Sequence, residues 1–570
     1  MKLLVADELS EEGLAVLRRA PGLQVDVKVG LKPPELLAII GEYDGLAVRS
    51  ATKVTAQVFE AGQRLKVVGR AGVGVDNVDL AAASRRGVVV MNTPGGSSVT
   101  VAELTVAMMF SLARQIPAAT ASVKAGKWEK KRFAAGHELT GKTLGVVGTG
   151  NIGAVVVERA LALKMKVVGF DPFISAEAAA RLGIELLALD DVLRRADFVT
   201  LHVPLTDQTK NLIGERQLAL MKKGACLVNC ARGGLVDEAA LARALDSGQL
   251  GGAALDVFAV EPPPADHPLL AQPNFVCTPH LGASTEEAQA AVALALAEQL
   301  VDFLGTGAVR NAVNVPSVSR ELLELLGPYL TLAERLGALV GQLAPEHMSE
   351  LRVTLAGSIG QLPAVGSSEG SGLAASARRP AAPSSSAAQL RPLALAALRG
   401  LLSRAVEGPV NDVNAPSIAK ERGIEFIEEL RAEARDFASL VTVTARGPGG
   451  EASASGTLFG TKHPRIVRLN QFEVESVAEG VLLIIRNEDV PGVIGQIGQT
   501  LGEAGLNIAR MALSRRTPEK EALAILNLDS LAPAPVLERL RALAPLRDVR
   551  QIQLPPCGPT VGGREAGASN

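Results

Sequence analysis

Leu144-Gly145-Val146-Val147-Gly148-Thr149-Gly150-Asn151-Ile152-Gly153 is the stretch on which the fold turns. A short apolar run leads into three glycines spaced G-x-G-x-x-G, and a helix-patterned segment, 154–164, follows. A second apolar run then ends at Asp171, 18 residues beyond Gly153. Strand, glycine turn, helix, strand, acid is the order a dinucleotide-binding unit needs. Gly148 permits the tight turn, Gly150 lets the backbone approach a pyrophosphate, and Gly153 lets the helix lie close on the sheet. Free N–H groups at the helix start hold the phosphate charge. Asp171 is placed to accept from the adenosine ribose hydroxyls and repels a 2′-phosphate, which selects NAD over NADP.

On the N-terminal side, short apolar runs at 3–6, 24–29, 45–48, 66–68 and 88–91 alternate with helical patterns, which predicts a parallel α/β sheet. Residues 99–114 read as a long apolar helix between lobes. The dinucleotide unit continues through strands at 198–202, 226–229, 252–256 and 275–278, and a second long helix spans 285–304. Two long linking helices around a dinucleotide domain predict a nested layout. A discontinuous lobe, 1–98 with 284–315, is completed after the NAD lobe, 99–283. An α+β region then covers 316–470. Its stretch 360–390 is rich in Gly, Ser, Pro and Ala with almost no bulky apolar residue, the composition of a disordered insertion. A β-α-β-β order with room for one more helix and strand occupies 480–554, and a Gly, Pro and Ala-rich tail, 555–570, is expected to be unstructured.

At 570 residues the chain is too long for one core. Lys plus Arg (58) nearly balances Asp plus Glu (60), so no global field draws it to nucleic acid or an anionic membrane. The start reads as a first strand reaching Asp7, not a signal peptide. No uninterrupted apolar run approaches the roughly 18–20 residues that span a bilayer. The four cysteines, 226, 230, 277 and 557, lack metal-type spacing, so no metal is expected and a reducing cytoplasm is.

Three segments carry chemistry. Arg232 follows a buried strand and precedes two glycines, Glu261 precedes consecutive prolines, and His280 stands just past another strand end. Open α/β sheets bind ligands at strand carboxyl ends. Oxidising an alcohol with NAD needs a base for the hydroxyl proton, which histidine supplies at neutral pH. A carboxylate beside it orients the ring, and a guanidinium grips a substrate carboxylate with two hydrogen bonds. His280 is read as the one histidine near a strand end with a carboxylate partner, since His202 lies beside Pro204 in the cofactor wall.

Gly148–Gly153, Asp171, His202–Thr206, Asn229–Asp237, Asp256–Pro263 and Pro279–Glu287 together resemble the D-isomer-specific 2-hydroxyacid dehydrogenases. The resemblance is to the long form of that family and covers roughly 1–360 and 390–555. It implies two Rossmann-like lobes, the substrate lobe discontinuous, then an α+β intervening domain and a ferredoxin-like ACT domain. By likeness Arg232, Glu261 and His280 are catalytic, while Asn151, Ile152, Asp171, Val203, Cys230, Ala231, Arg232, Asp256, His280, Leu281, Gly282 and Ala283 line NAD.

Arg49-Ser50 and Arg70-Ala71-Gly72-Val73-Gly74 match substrate-lobe loops, with Arg49 and Arg70 at strand ends where they reach a phosphate. Val73 stands where relatives often carry Thr or Ser. The implied reaction is NAD-dependent oxidation of 3-phospho-D-glycerate to 3-phosphohydroxypyruvate, the first step of L-serine synthesis. Glycerate or hydroxypyruvate reduction is the alternative within the family, and an NAD-sensing corepressor the alternative outside it. Asn487, Asp489 and Asn507 align with effector-contacting positions, which implies L-serine as a regulator and a homo-oligomer, usually a tetramer.

Overall fold

The structure, a computed structural model, describes residues 1–361, 386–403, 405–406, 408–434, 436–516 and 520–556. Its first sheet has five parallel strands in the order Gln24–Val27, Lys2–Val5, Gly45–Val48, Val67–Arg70, Val89–Met91. The buried positions of its middle strands, 3–5, 45–48 and 67–69, are all apolar because helices cover both faces, as parallel sheets require. One cover comes from far along the chain. Helix Glu286–Thr306 lies on helix Glu11–Arg19 and on strand Val67–Arg70. Gly69 makes this approach possible, since a Cβ there would stand 2.7 Å from Leu296 Cδ1. Asn314 then closes the lobe: its Oδ1 accepts from the Val90 N–H and its Nδ2 donates to the Val88 carbonyl, both at 2.9 Å.

Helix Glu286–Thr306 is also long and apolar enough to cross a bilayer. Glu298 and Asp302 interrupt its sequence, so a search for unbroken apolar runs passes over it. Its apolarity serves the core instead, with Leu296, Ala297 and Leu300 fully buried in the first lobe.

The second sheet has seven parallel strands in the order Phe275–Cys277, Leu250–Leu255, Ala225–Asn229, Phe198–Leu201, Thr143–Val147, Lys166–Phe170, Glu185–Leu186. Strand order reverses beside Thr143–Val147, where a ligand crevice forms in such sheets. Helix Ser98–Arg114 enters from the first lobe and packs on helix Asn151–Ala162.

Beyond residue 316 a six-stranded mixed sheet runs Glu425–Arg431, Glu350–Gly357, Ser439–Gly447, Gly450–Phe459, His463–Leu469, Phe472–Val477. Helices Arg320–Leu343 and Ser386–Leu402 cover one face, and they cross so closely that a Cβ on Gly337 would meet the Ala397 carbonyl at 1.9 Å. The second helix begins inside the span expected to be a disordered insertion. Its Ser-Ala start resembles low complexity, yet Leu390 and Leu393 lie in the core. Residues 362–385 of that insertion, and 557–570 of the tail, are outside the described residues. At the start of the tail, the Pro555 carbonyl accepts from Arg335 Nε at 3.3 Å.

The last sheet is antiparallel in the order Ile508–Arg516, Glu521–Leu528, Val481–Glu488, Leu546–Gln553, with helices Val493–Glu503 and Ala534–Arg541. Its central strand is buried on both sides. Leu483 and Ile485 face the two helices, while Leu482 and Ile484 join the core of the preceding domain.

Candidate active site

Strand Thr143–Val147 delivers the glycine turn to the crevice. Gly148 has φ +90°, and a Cβ there would press on the His202 carbonyl at 2.6 Å. At Gly153 a Cβ would stand 2.0 Å from the Gly148 carbonyl. Gly150 differs, because a Cβ there would meet nothing within 4 Å. Internal packing therefore demands two of the glycines, and the third opens outward beside the uncapped N-terminus of helix Asn151–Ala162. That arrangement fits a pyrophosphate. Asp171 is held against the turn: its Oδ2 accepts from the Thr149 N–H (2.8 Å) and Oγ1 (2.9 Å), and its Oδ1 from the Phe173 N–H (2.9 Å).

Other residues expected along the cofactor divide by exposure. Ile152 is half-buried against the helix layer, and Val203 packs toward Gly148, whose Cβ would come 2.8 Å from Val203 Cγ1. Cys230 and Ala231 are buried. Burial pushes the Cys230 thiol up to about 12, so it is an inert neutral group. Asn151 Nδ2 donates to the Pro94 carbonyl at 3.1 Å and so links the two lobes. Asp256, expected to line the cofactor, is fully buried and already spent on the chain itself. Its Oδ1 accepts from Thr278 Oγ1 and the Leu281 N–H, and its Oδ2 from the Gly282 N–H at 2.8 Å. It anchors the His280–Ala283 loop.

That loop holds His280 at φ +58°, a conformation rare for any residue but glycine. The His280 N–H donates to the Asp256 carbonyl at 2.9 Å. Its Nδ1 then lies 2.8 Å from Glu261 Oε2, while Glu261 Oε1 accepts from the Phe258 N–H at 3.0 Å. An Nδ1–H donated to the carboxylate leaves Nε2 free to act as a base.

Arg232 is placed by Asn229, whose Oδ1 accepts from the Ala231 N–H (3.0 Å) and whose Nδ2 donates to the Arg232 carbonyl (2.8 Å). Its Nε donates across the cleft to Asp76 Oδ2 at 2.9 Å. A Cβ on Gly74 would overlap its guanidinium.

Arg49, Ser50, Arg70, Gly72, Asp76, Glu261, His280 and Ala283 border one cavity of about 590 Å³ between the lobes. Arg70 is partly buried, its Nε has no hydrogen-bond partner, and its NH1 lies where a Cβ of Gly72 would be. Burial, with the Arg232 and Arg49 charges nearby, lowers its affinity for its proton against the pull of Asp76 and Asp7. The Val73 carbonyl accepts from Asn92 Nδ2 at 2.5 Å and the Gly72 N–H donates to Thr93 Oγ1 at 2.8 Å, so this loop is fixed through its backbone and not through the Val73 side chain.

Comparison with known proteins supplies the family. A model of the D-isomer specific 2-hydroxyacid dehydrogenase NAD binding domain matches residues 106–282, the D-3-phosphoglycerate dehydrogenase intervening domain 384–470, and the ACT domain 481–545. D-3-phosphoglycerate dehydrogenase of Synechocystis is 44% identical over 97% of this chain and 95% of its own. The enzyme of that name from Methanocaldococcus jannaschii is 44% identical over 97% of this chain and 100% of its own. The chain belongs to the D-3-phosphoglycerate dehydrogenase family.

Solved structures match a little over half of the chain. NAD-dependent formate dehydrogenase from Staphylococcus aureus, in complex with NAD, has 29% identity and TM-score 0.50 over 56% of this chain and 100% of that one. A glyoxylate reductase from Paecilomyes thermophila has 28% identity and TM-score 0.51 over 55% and 98%. This chain is an NAD-dependent oxidoreductase with a C-terminal ACT domain.

Within that ACT domain the three expected effector residues do not meet in one chain. Asn487 pairs in register with Ala522, whereas Asn507 precedes the register pair Ile508 and Leu528, at the Val481 end of the sheet. Six residues of strand separate the two ends, roughly 20 Å. Asn507 Nδ2 donates to Asp529 Oδ2 at 2.7 Å, Asp489 lies 3.5 Å from Arg515 Nε, and Asn487 is buried with its Oδ1 unpartnered.

Reading the sequence missed several helpers. Asp7 accepts from the Arg49 N–H (2.6 Å) and from Thr52 N–H (3.2 Å) and Oγ1 (2.6 Å), and so fixes the Arg49 loop. Asp76 is the cross-cleft partner of Arg232. His280 is also not the only histidine with a carboxylate: His267 Nε2 lies 3.0 Å from Glu238 Oε2. No periodicity or motif marks these pairs, because each forms between segments distant in sequence.

Proposed function

We propose that the protein oxidises 3-phospho-D-glycerate to 3-phosphohydroxypyruvate with NAD, the first step of L-serine synthesis. The observation that carries this reading is that Arg49 and Arg70 line the cavity bordered by the His280–Glu261 pair, with the Arg232 charge close enough to act on Arg70 and its Nε on the cavity residue Asp76. The Arg232 and Arg49 charges disfavour the charge on Arg70, and Asp76 and Asp7 act against that repulsion. A substrate with a carboxylate at one end and a phosphate at the other relieves that repulsion, and a plain hydroxy acid leaves part of it.

Bound NAD supplies the hydride acceptor. His280 Nε2 takes the C2 hydroxyl proton, and Glu261 on Nδ1 stabilises the imidazolium that forms. Arg232 grips the substrate carboxylate and polarises the carbon–oxygen bond. Arg49 and Arg70, with Ser50 and the Gly72–Gly74 backbone, receive the phosphate. NADH formation from a panel of phosphorylated and plain D-2-hydroxy acids tests the assignment. The expected best substrate is 3-phospho-D-glycerate; a plain hydroxy acid turned over as well would point to the reductase alternative.

We also propose a homotetramer in the cytoplasm that binds L-serine between ACT domains. Strand Ile508–Arg516 is an edge strand, with Met511 47% and Leu513 51% exposed. Antiparallel pairing of two such edges sets the Asn507 end of one copy beside the Arg515–Asp489 end of the other. This pairing supports a shared effector site that no single chain completes. Exposed Ile116, Val123 and Trp128, the last 84% exposed, offer a second apolar contact on the NAD lobe.

A further inference from the structure

We infer that Glu238 and His267 form a positioning pair that holds the turn carrying Glu261, and through it the orientation of His280. Glu238 opens helix Glu238–Asp246, and its carboxylate has two uses. Its Oε1 accepts from the Ala259 N–H at 2.7 Å and its Oε2 faces His267 Nε2 at 3.0 Å. His267 Nδ1 accepts from the Leu269 N–H at 3.4 Å, so the proton sits on Nε2 and is donated to Glu238. Both side chains are only 15% exposed. The His267 ring stands edge-on to Phe258, with centroids 5.7 Å apart and planes at 80°.

Two consecutive amides of one turn thus point at two carboxylates. The Ala259 N–H is taken by Glu238, and the Phe258 N–H by Glu261 Oε1 at 3.0 Å. Glu261 Oε2 continues to His280 Nδ1 at 2.8 Å. The same turn presses on the Arg232 segment, since a Cβ on Gly233 would overlap the Phe258 carbonyl. Rotating the turn moves both the base's partner and the carboxylate grip. A misplacement on the order of 1 Å at a reacting group costs about 10²-fold in rate. Neither Glu238 nor His267 borders the substrate cavity, so the pair acts through the turn.

The inference rests on the assignment of Glu261 and His280, and a double-mutant cycle separates the two. In the full-length enzyme, Glu238→Ala is expected to lower kcat about tenfold with KM for NAD and for the hydroxy acid within twofold of wild type. Glu238→Gln keeps an oxygen for the Ala259 N–H and is expected to restore kcat to within about threefold. In a Glu261→Ala background, Glu238→Ala is expected to change kcat less than twofold, because its route of action is gone. Should Glu238→Ala fold poorly, His267→Phe keeps the packing on Phe258, removes the donor, and is expected to lower kcat about threefold. A tenfold loss repeated in full in the Glu261→Ala background overturns the inference, as does wild-type kcat in both Glu238→Ala and His267→Phe. If Glu261→Ala alone leaves kcat unchanged, the fault lies instead with the assignment of Glu261.

Discussion

His280 holds its φ of +58° because Asp256 secures the loop from both sides, by its carbonyl to the His280 N–H and by its carboxylate to Leu281 and Gly282. A non-glycine residue in that region costs on the order of 1 kcal/mol, and the buried carboxylate offsets it. The result is a ring on the cavity wall with Nδ1 committed to Glu261. His280→Ala is expected to lower kcat by about 10²–10⁴, the usual contribution of a general base, with NAD affinity nearly unchanged. Stopped-flow turnover together with fluorescence titration of NAD checks both halves. A variant that keeps half the wild-type kcat contradicts the assignment.

At the scale of elements, the glycine turn and its helix show why the dinucleotide unit is readable from sequence. Gly148 and Gly153 are demanded by the fold, while Gly150 is free of internal contact. Gly153→Ala is therefore expected to lower Tm by several degrees and to weaken NAD binding, since its Cβ would overlap the Gly148 carbonyl. Gly150→Ala is expected to keep Tm within a degree while raising the Kd for NAD at least tenfold. Thermal melts with and without NAD distinguish them.

The NAD lobe also contains His202, whose enclosed ring burial pushes down to about 3. Its proton is bound in the unfolded chain but not in the folded one between that value and the ordinary 6.5, so stability is retained above pH 6.5 and lost as pH falls toward 3. In urea titrations the midpoint is expected to drop over that window, and less steeply in His202→Gln.

Strands and glycines were legible because each carries its own local pattern, and the proposed trio Arg232, Glu261 and His280 because each stands just past a strand end in a family motif. Asp7, Asp76 and Glu238 were not, since their partners lie far off in sequence; Arg232 and Asp76 are 156 residues apart. The intervening sheet was only partly legible for another reason. Strands such as Glu425–Arg431 carry a charge at most positions, and only pairing with Glu350–Gly357 makes them strands.

Across the whole molecule, the catalytic cleft and the ACT sheet sit at opposite ends of the chain, joined by the domain of helices Arg320–Leu343 and Ser386–Leu402. Regulation by serine then requires two assemblies that differ in serine affinity. If the Ile508–Arg516 edge builds the effector site with a second copy, Leu513→Asp is expected to reduce the assembly mass and abolish serine uptake together. Light scattering and calorimetry on the same samples check this. Serine uptake that persists in a smaller species places the site within one chain.

In the cleft, the clustered arginines are proposed to select a substrate bearing both carboxylate and phosphate. The direct measurement is kcat/KM for 3-phospho-D-glycerate relative to D-glycerate, in the wild type and in Arg70→Gln. A preference of at least about 10²-fold for the phosphorylated acid is expected, falling at least tenfold in the variant; equal use of both acids by the wild type would contradict selection by the arginines.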